Sequence, residues 1–145
     1  MTHRLSPAQF MDNIDRFKDT HASWEPWNTP EGAVGQCYGA SCDYVAGGPK
    51  GHAHEGEHTS VAGFTGYKGD PSRAVHLLGE PAKVEGHYAA VTETTEGPQV
   101  VDWTARQFDS SADFPHVMPL EEYSALWNTT KTGVKRNSMG LPQLT

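Results

Sequence analysis

The sequence predicts an α+β domain, and three observations carry that prediction. A capped, amphipathic helix opens the chain, a second short helix begins near Cys37, and two β runs joined by a polar turn occupy residues 84–103. A length of 145 residues suits one domain. Only 23 residues are Leu, Ile, Val or Phe, a scarcity that with a net charge of −7 leans toward disorder. The 14 aromatic residues, four of them Trp, lean the other way, because each buries a large area. The balance is a small folded domain with a thin core and long loops.

The first helix is predicted over about residues 7–19. Ser6 is an N-cap, Pro7 suits the first helical position, and Gln9 completes a capping box. Leu5 and Phe10 take the two positions of a hydrophobic staple, and Phe10, Ile14 and Phe17 recur at i, i+4 and i+7 as one apolar face. Residues 24–35 hold two Pro and two Trp and read as irregular, with Trp24 and Trp27 covering the core. Ala40, Ser41, Tyr44 and Val45 allow a short helix from Cys37 to a stop at Gly47-Gly48. Ten of the 15 glycines lie between Gly32 and Gly69, so the stretch from Gly47 to Gly69 is expected to be loop or a series of turns.

Residues 70–79 allow either a short helix after Asp70-Pro71 or a strand over AVHLL. From Val84 onward the pattern is β: HYAAV, then the polar TETTEGP, then QVVDW, which predicts a hairpin. Leu120, Tyr123, Leu126 and Trp127 stand at helical spacing and predict a last helix. One domain is expected over 1–128, with a polar tail over 129–145.

Several classes drop out. No run approaches the ~18 apolar residues of a membrane span, and the N-terminal segment lacks the apolar stretch of a secretory signal. The acidic balance argues against a nucleic-acid partner, which needs a basic face. Two cysteines five residues apart make a poor disulfide framework. A cytoplasmic protein with reduced thiols is expected.

Three segments offer reactive groups. Cys37 follows Gly35 and stands where a helix begins. There the macrodipole favours thiolate, and free backbone N–H groups provide part of an oxyanion hole. A buried structural cysteine is the alternative. His87 and Asp102 lie on the two β runs, and a turn at Thr94-Thr95 sets them directly opposite each other. At that spacing the carboxylate can orient the imidazole; a slip of one residue would put them on opposite faces. The alternative is an exposed His and an Asp that ends a strand. Cys42, on the same helix but a different face and away from its positive end, competes with Cys37. Together, Cys37, His87 and Asp102 have the layout of an activated thiol nucleophile.

Gly35-x-Cys37-x-x-Ala40-Ser41, then Gly86-His87-Tyr88, and Val100-x-Asp102-x-Thr104-Ala105-x-Gln107-Phe108 together resemble the papain-like superfamily. The similarity is greatest to small bacterial and phage members of transglutaminase-like or NlpC/P60-like topology. The resemblance spans roughly Gly35 to Phe108, with an unmatched gap from Ser41 to Gly86. It implies a papain-like core, with a nucleophile-bearing helix packed on a small antiparallel sheet, and a Cys-His-Asp triad acting on an amide of a protein or peptide through a covalent adduct at Cys37. Peptidase, amidase, glutamine deamidase and transglutaminase chemistry all stay open, as does an inactive scaffold that binds a host protein. Papain's Gln six residues before the cysteine is Glu31 here, and Gln36 stands adjacent instead. Gln36 and Tyr38 are candidates for oxyanion or substrate contacts. Trp103 is another, although its place on the strand face opposite Asp102 also suits packing.

His52, His54 and His58, with Glu55 and Glu57, form a rival constellation for zinc or nickel, although H-x-H-x-x-x-H matches no zinc template. The same loop also suits a solvated lid or recognition surface. No cofactor or metal is expected for the thiol chemistry.

Overall fold

The computed structural model describes residues 4–45, 59–74, 76–77, 80–81, 86–131, 135–136 and 142–143. The first helix, α1, runs Pro7–Thr20, and both capping-box bonds form: the Gln9 N–H donates to Ser6 Oγ (3.2 Å) and the Ser6 N–H to Gln9 Oε1 (3.0 Å). Phe10, Ile14 and Phe17 are its buried face. A 3-10 turn (Glu25–Asn28) and a single helical turn, α2 (Pro30–Ala33), lead to α3 (Cys37–Val45). Gly35 takes a φ of +75°, a left-handed conformation that costs little only without a Cβ, and α3 starts two residues later at Cys37.

A five-stranded antiparallel sheet follows, built from β1 (Thr59–Tyr67), β4 (Gly86–Thr94), β5 (Gly97–Asp102), β6 (His116–Pro119) and β7 (Trp127–Lys131) in the spatial order β6-β5-β4-β1-β7. The short α4 (Leu120–Ser124) joins β6 to β7. Two small ribbons stand apart from the sheet: β2 (His76–Leu77) with β3 (Glu80–Pro81), and β8 (Lys135–Arg136) with β9 (Pro142–Gln143).

Both faces of the sheet are covered. On one face, Phe10, Ile14 and Phe17 of α1 and Tyr44 of α3 pack on Val61, Ala90 and Val101. On the other, Phe108, Tyr123 and Trp127 pack on Ala62, Phe64, Ala89, Val91 and Val100. Aromatic rings supply the volume that aliphatics lack: Phe17 lies 5.3 Å from Tyr44 and 5.0 Å from Trp103, centroid to centroid. The α+β class holds, as does the packing of a helix beginning at Cys37 on an antiparallel sheet.

Three expectations change. The glycine-rich stretch ending at Gly69 is not all loop, since β1 is a central strand paired on both sides. Buried on both faces, it lacks the polar alternation that marks a strand in sequence. The last helix ends at Ser124; Trp127 instead starts β7 opposite Tyr67, so the expected tail from 129 begins inside the sheet. The period-3.6 pattern misleads there because a helical turn feeds directly into a strand and keeps Trp127 on a buried surface.

Third, the hairpin turn is Thr95-Glu96, with Thr94 opposite Gly97, so His87 is not directly opposite Asp102. Moving the turn by one residue shifts the pairing by two, which preserves the faces and turns a direct pair into a diagonal one. Residues 70–79 combine both expectations, a 3-10 turn (Pro71–Arg73) and then β2. Among the described residues, no helix is long and apolar enough to cross a membrane.

Candidate active site

His87 is the centre of the site. It lies on β4, fully buried, opposite Phe64 of β1. The β4–β5 ladder stops at Ala90 and Val101, so among the described residues no strand pairs with His87 on that side. The N-terminus of α3 packs beside β4, where the Cys37 thiol lies close enough to the His87 side chain and the Tyr88 backbone for both to act on its ionisation. On its other side His87 Nε2 lies 2.7 Å from Asp102 Oδ2. The carboxylate can only accept, so Nε2 carries the proton and Nδ1 is left to face the thiol.

Asp102 is held on both oxygens. Its Oδ1 accepts from the Thr104 N–H at 2.9 Å and Oγ at 3.4 Å, and its Oδ2 also accepts from the Tyr123 hydroxyl at 2.5 Å. The aromatic walls are Trp127, whose ring is stacked on the imidazole at 5.3 Å with planes 4° apart, and Phe108, edge-on at 5.0 Å. An indole face favours the charged imidazole over the neutral one.

The electrostatics follow from this packing. Burial opposes charge on Asp102, but His87, Tyr123 and the Thr104 N–H outweigh it and hold the carboxyl below its usual range. Burial likewise disfavours imidazolium, yet Asp102 and then Cys37 raise the His87 pKa to about 9. Burial pushes the Cys37 thiol up, but the hydrogen bond and charge of His87 and the contact with the Tyr88 backbone bring it below the ordinary value. All three directions favour a thiolate–imidazolium pair.

The remaining candidates separate. Tyr38 is exposed at the rim, edge-on to Tyr88 at 5.0 Å, and interacts with Cys42, which is half-buried on α3. Gln36 is exposed, and its backbone is engaged: its N–H donates to Ala33 and its carbonyl accepts the first bond of α3 from Ala40. Trp103 is 2% exposed and packs on Phe17, Trp27 and Tyr44, which corrects its candidacy for substrate contact; it serves the core. The histidines at 52, 54 and 58 lie outside the described residues. Among the described residues no group of three His, Cys, Asp or Glu side chains could hold a metal ion.

Five residues reach the site without having been singled out as site residues. Thr104, Gln107 and Phe108 belong to the Asp102–Phe108 block, whose spacing was the available signal, whereas Tyr123 and Trp127 read only as apolar helix positions. A recess of about 210 Å³ lies beside His87, walled by Gly63, Phe64, Thr65, Gly86, Tyr88 and Thr129 and almost wholly apolar.

No protein-family model, curated protein or solved structure matches the chain.

Proposed function

We propose that this chain is a thiol-dependent amide hydrolase or acyltransferase of papain-like architecture, acting on a protein or peptide. One observation carries the reading: a fully buried imidazole stands between a carboxylate and a thiol at the start of a helix. A structural cysteine needs none of this, and burial alone would have raised its pKa.

In the proposed cycle the Cys37 S–H proton passes to His87 Nδ1, and the sulfur keeps the electron pair and attacks the amide carbon. Backbone N–H groups at the start of α3 receive the developing oxyanion. The carbonyl re-forms as the C–N bond breaks, and His87 returns its proton to the departing amine. Water, deprotonated by His87, then cleaves the thioester; an amine in its place gives transamidation. Asp102 keeps the tautomer and stabilises the imidazolium. The apolar recess beside His87 supports a substrate with an uncharged side chain next to the reacting amide.

The test is iodoacetamide labelling of Cys37 across pH, followed by peptide mass spectrometry. The expected profile has an inflection well below the ~8.5 of a free thiol, and His87→Ala returns it to that value with labelling at pH 6.5 slowed at least about tenfold. A wild-type profile like that of a free thiol, indifferent to His87→Ala, overturns the proposal.

A further inference from the structure

Gln107 is buried beside the imidazole, and its amide nitrogen has two neighbours: His87 Nδ1 at 3.3 Å and Thr104 Oγ at 3.4 Å. The orientation of that amide follows from proton counting. Asp102 can only accept, so the single Thr104 hydroxyl proton is directed to Asp102 Oδ1. Thr104 Oγ then offers only lone pairs, which favours the Gln107 NH₂ over its carbonyl oxygen on that side. The second N–H of the same nitrogen points at Nδ1. A closed ring results: Asp102, Thr104, Gln107, His87 and back to Asp102.

The ring places a donor against the atom that receives the thiol proton. With Nδ1 unprotonated, Gln107 and the Cys37 S–H both have a lone pair to address. Once the S–H proton has moved to Nδ1, two N–H groups face each other, so the imidazolium is disfavoured and becomes a stronger acid. We propose that Gln107 is a positioning residue that opposes protonation of His87 Nδ1, holding the thiolate–imidazolium pair in check and hastening return of the proton to the leaving amine. Asp102 then acts on His87 twice and with opposite sign: directly through Nε2, favouring charge, and through Thr104 and Gln107, opposing it at Nδ1.

Among the described residues, the ionisable groups around His87 are Cys37 on α3, Asp102 on β5 and, through Asp102, Tyr123 on α4; β1 and β7 present Phe64 and Trp127. None of these supplies a donor to Nδ1 other than the thiol itself, so the opposing contribution belongs to Gln107.

The inference rests on the proposed ion pair, and its test separates the two. The pH profile of Cys37 alkylation and the ¹⁵N shift of His87 Nδ1 are followed in the wild type, Gln107→Leu, Gln107→Glu and Thr104→Val. Removing a single hydrogen bond in Gln107→Leu should lower the thiol inflection by about 0.5–1 pH unit and hold the Nδ1 proton to higher pH by a similar amount. Gln107→Glu, which offers an acceptor, should move both further in the same directions. Thr104→Val, which frees the amide to turn its oxygen toward Nδ1, should follow Gln107→Leu. If Gln107 serves only to pack His87, its loss loosens the imidazole and the thiol inflection rises toward that of free cysteine. That rise in Gln107→Leu, or no movement in any of the three variants, overturns the inference. A wild-type profile without a depressed inflection overturns the ion pair itself.

Discussion

A buried imidazole is costly to charge, and the carboxylate of Asp102 offsets that cost for His87. Tyr123 contributes at one remove by donating to Asp102 Oδ2, the same oxygen that receives His87 Nε2–H. Tyr123→Phe leaves that buried carboxylate one donor short and should cost about 1.5–3 kcal/mol in urea unfolding at pH 7. The sign with pH follows from the depressed carboxyl pKa. Stability from this bond is present above 3.8 and is lost as pH falls through the lower folded value, so the midpoints of the wild type and the Tyr123→Phe variant should converge in acid. A gap that stays constant down to the acid transition would assign the effect of the hydroxyl to packing instead. At this scale the sequence made Cys37, His87 and Asp102 legible, because reactive residue types at a helix start and on paired strands are few. Tyr123 and Trp127 were hidden because a core aromatic and one that lines a site obey the same periodicity.

Elements deliver these residues through register. Hairpin β4–β5 brings His87 and Asp102 to one face, and β1 backs His87 with Phe64. The Phe64 ring also packs on those of Tyr123 and Trp127, with centroids 4.8 and 5.7 Å away, so it supports both the imidazole and the carboxylate's partner. Phe64→Ala should cost about 3–5 kcal/mol in unfolding free energy. It should also raise the Cys37 alkylation inflection, since the imidazole loses its backing; a large stability loss with an unmoved inflection would separate the strand from the site. The sequence carried α1 almost to the residue, because its capping box and apolar stripe are local. It missed β1, whose glycines look like a loop until the strands on either side are known. It misplaced the hairpin turn by one residue, and the two-residue period of strands kept the facing of His87 and Asp102 intact.

Across the whole molecule, the sheet divides two aromatic cores, and the site opens where β5 ends and α3 enters beside β4. The apolar recess draws walls from β1, β4 and β7, and a Cβ added at Gly86 would meet nothing within 4 Å. Gly86→Leu should therefore change the unfolding free energy by less than about 1 kcal/mol. With peptidyl chloromethyl ketones bearing Leu or Phe beside the reactive group, its labelling rate relative to that with iodoacetamide should fall at least tenfold. An unchanged ratio would mean that the recess takes no part in substrate recognition.

The sequence by itself determined what local chemistry can encode: the α+β class, the capped first helix, a cysteine at a helix start, and a His and an Asp on partnered strands. Only the tertiary structure decided which groups share His87. Tyr123 and Trp127 arrive from beyond the span of the motifs, and Gln107 closes its ring across a strand end. Those contacts depend on the packing of elements distant in the chain, which local periodicity does not encode.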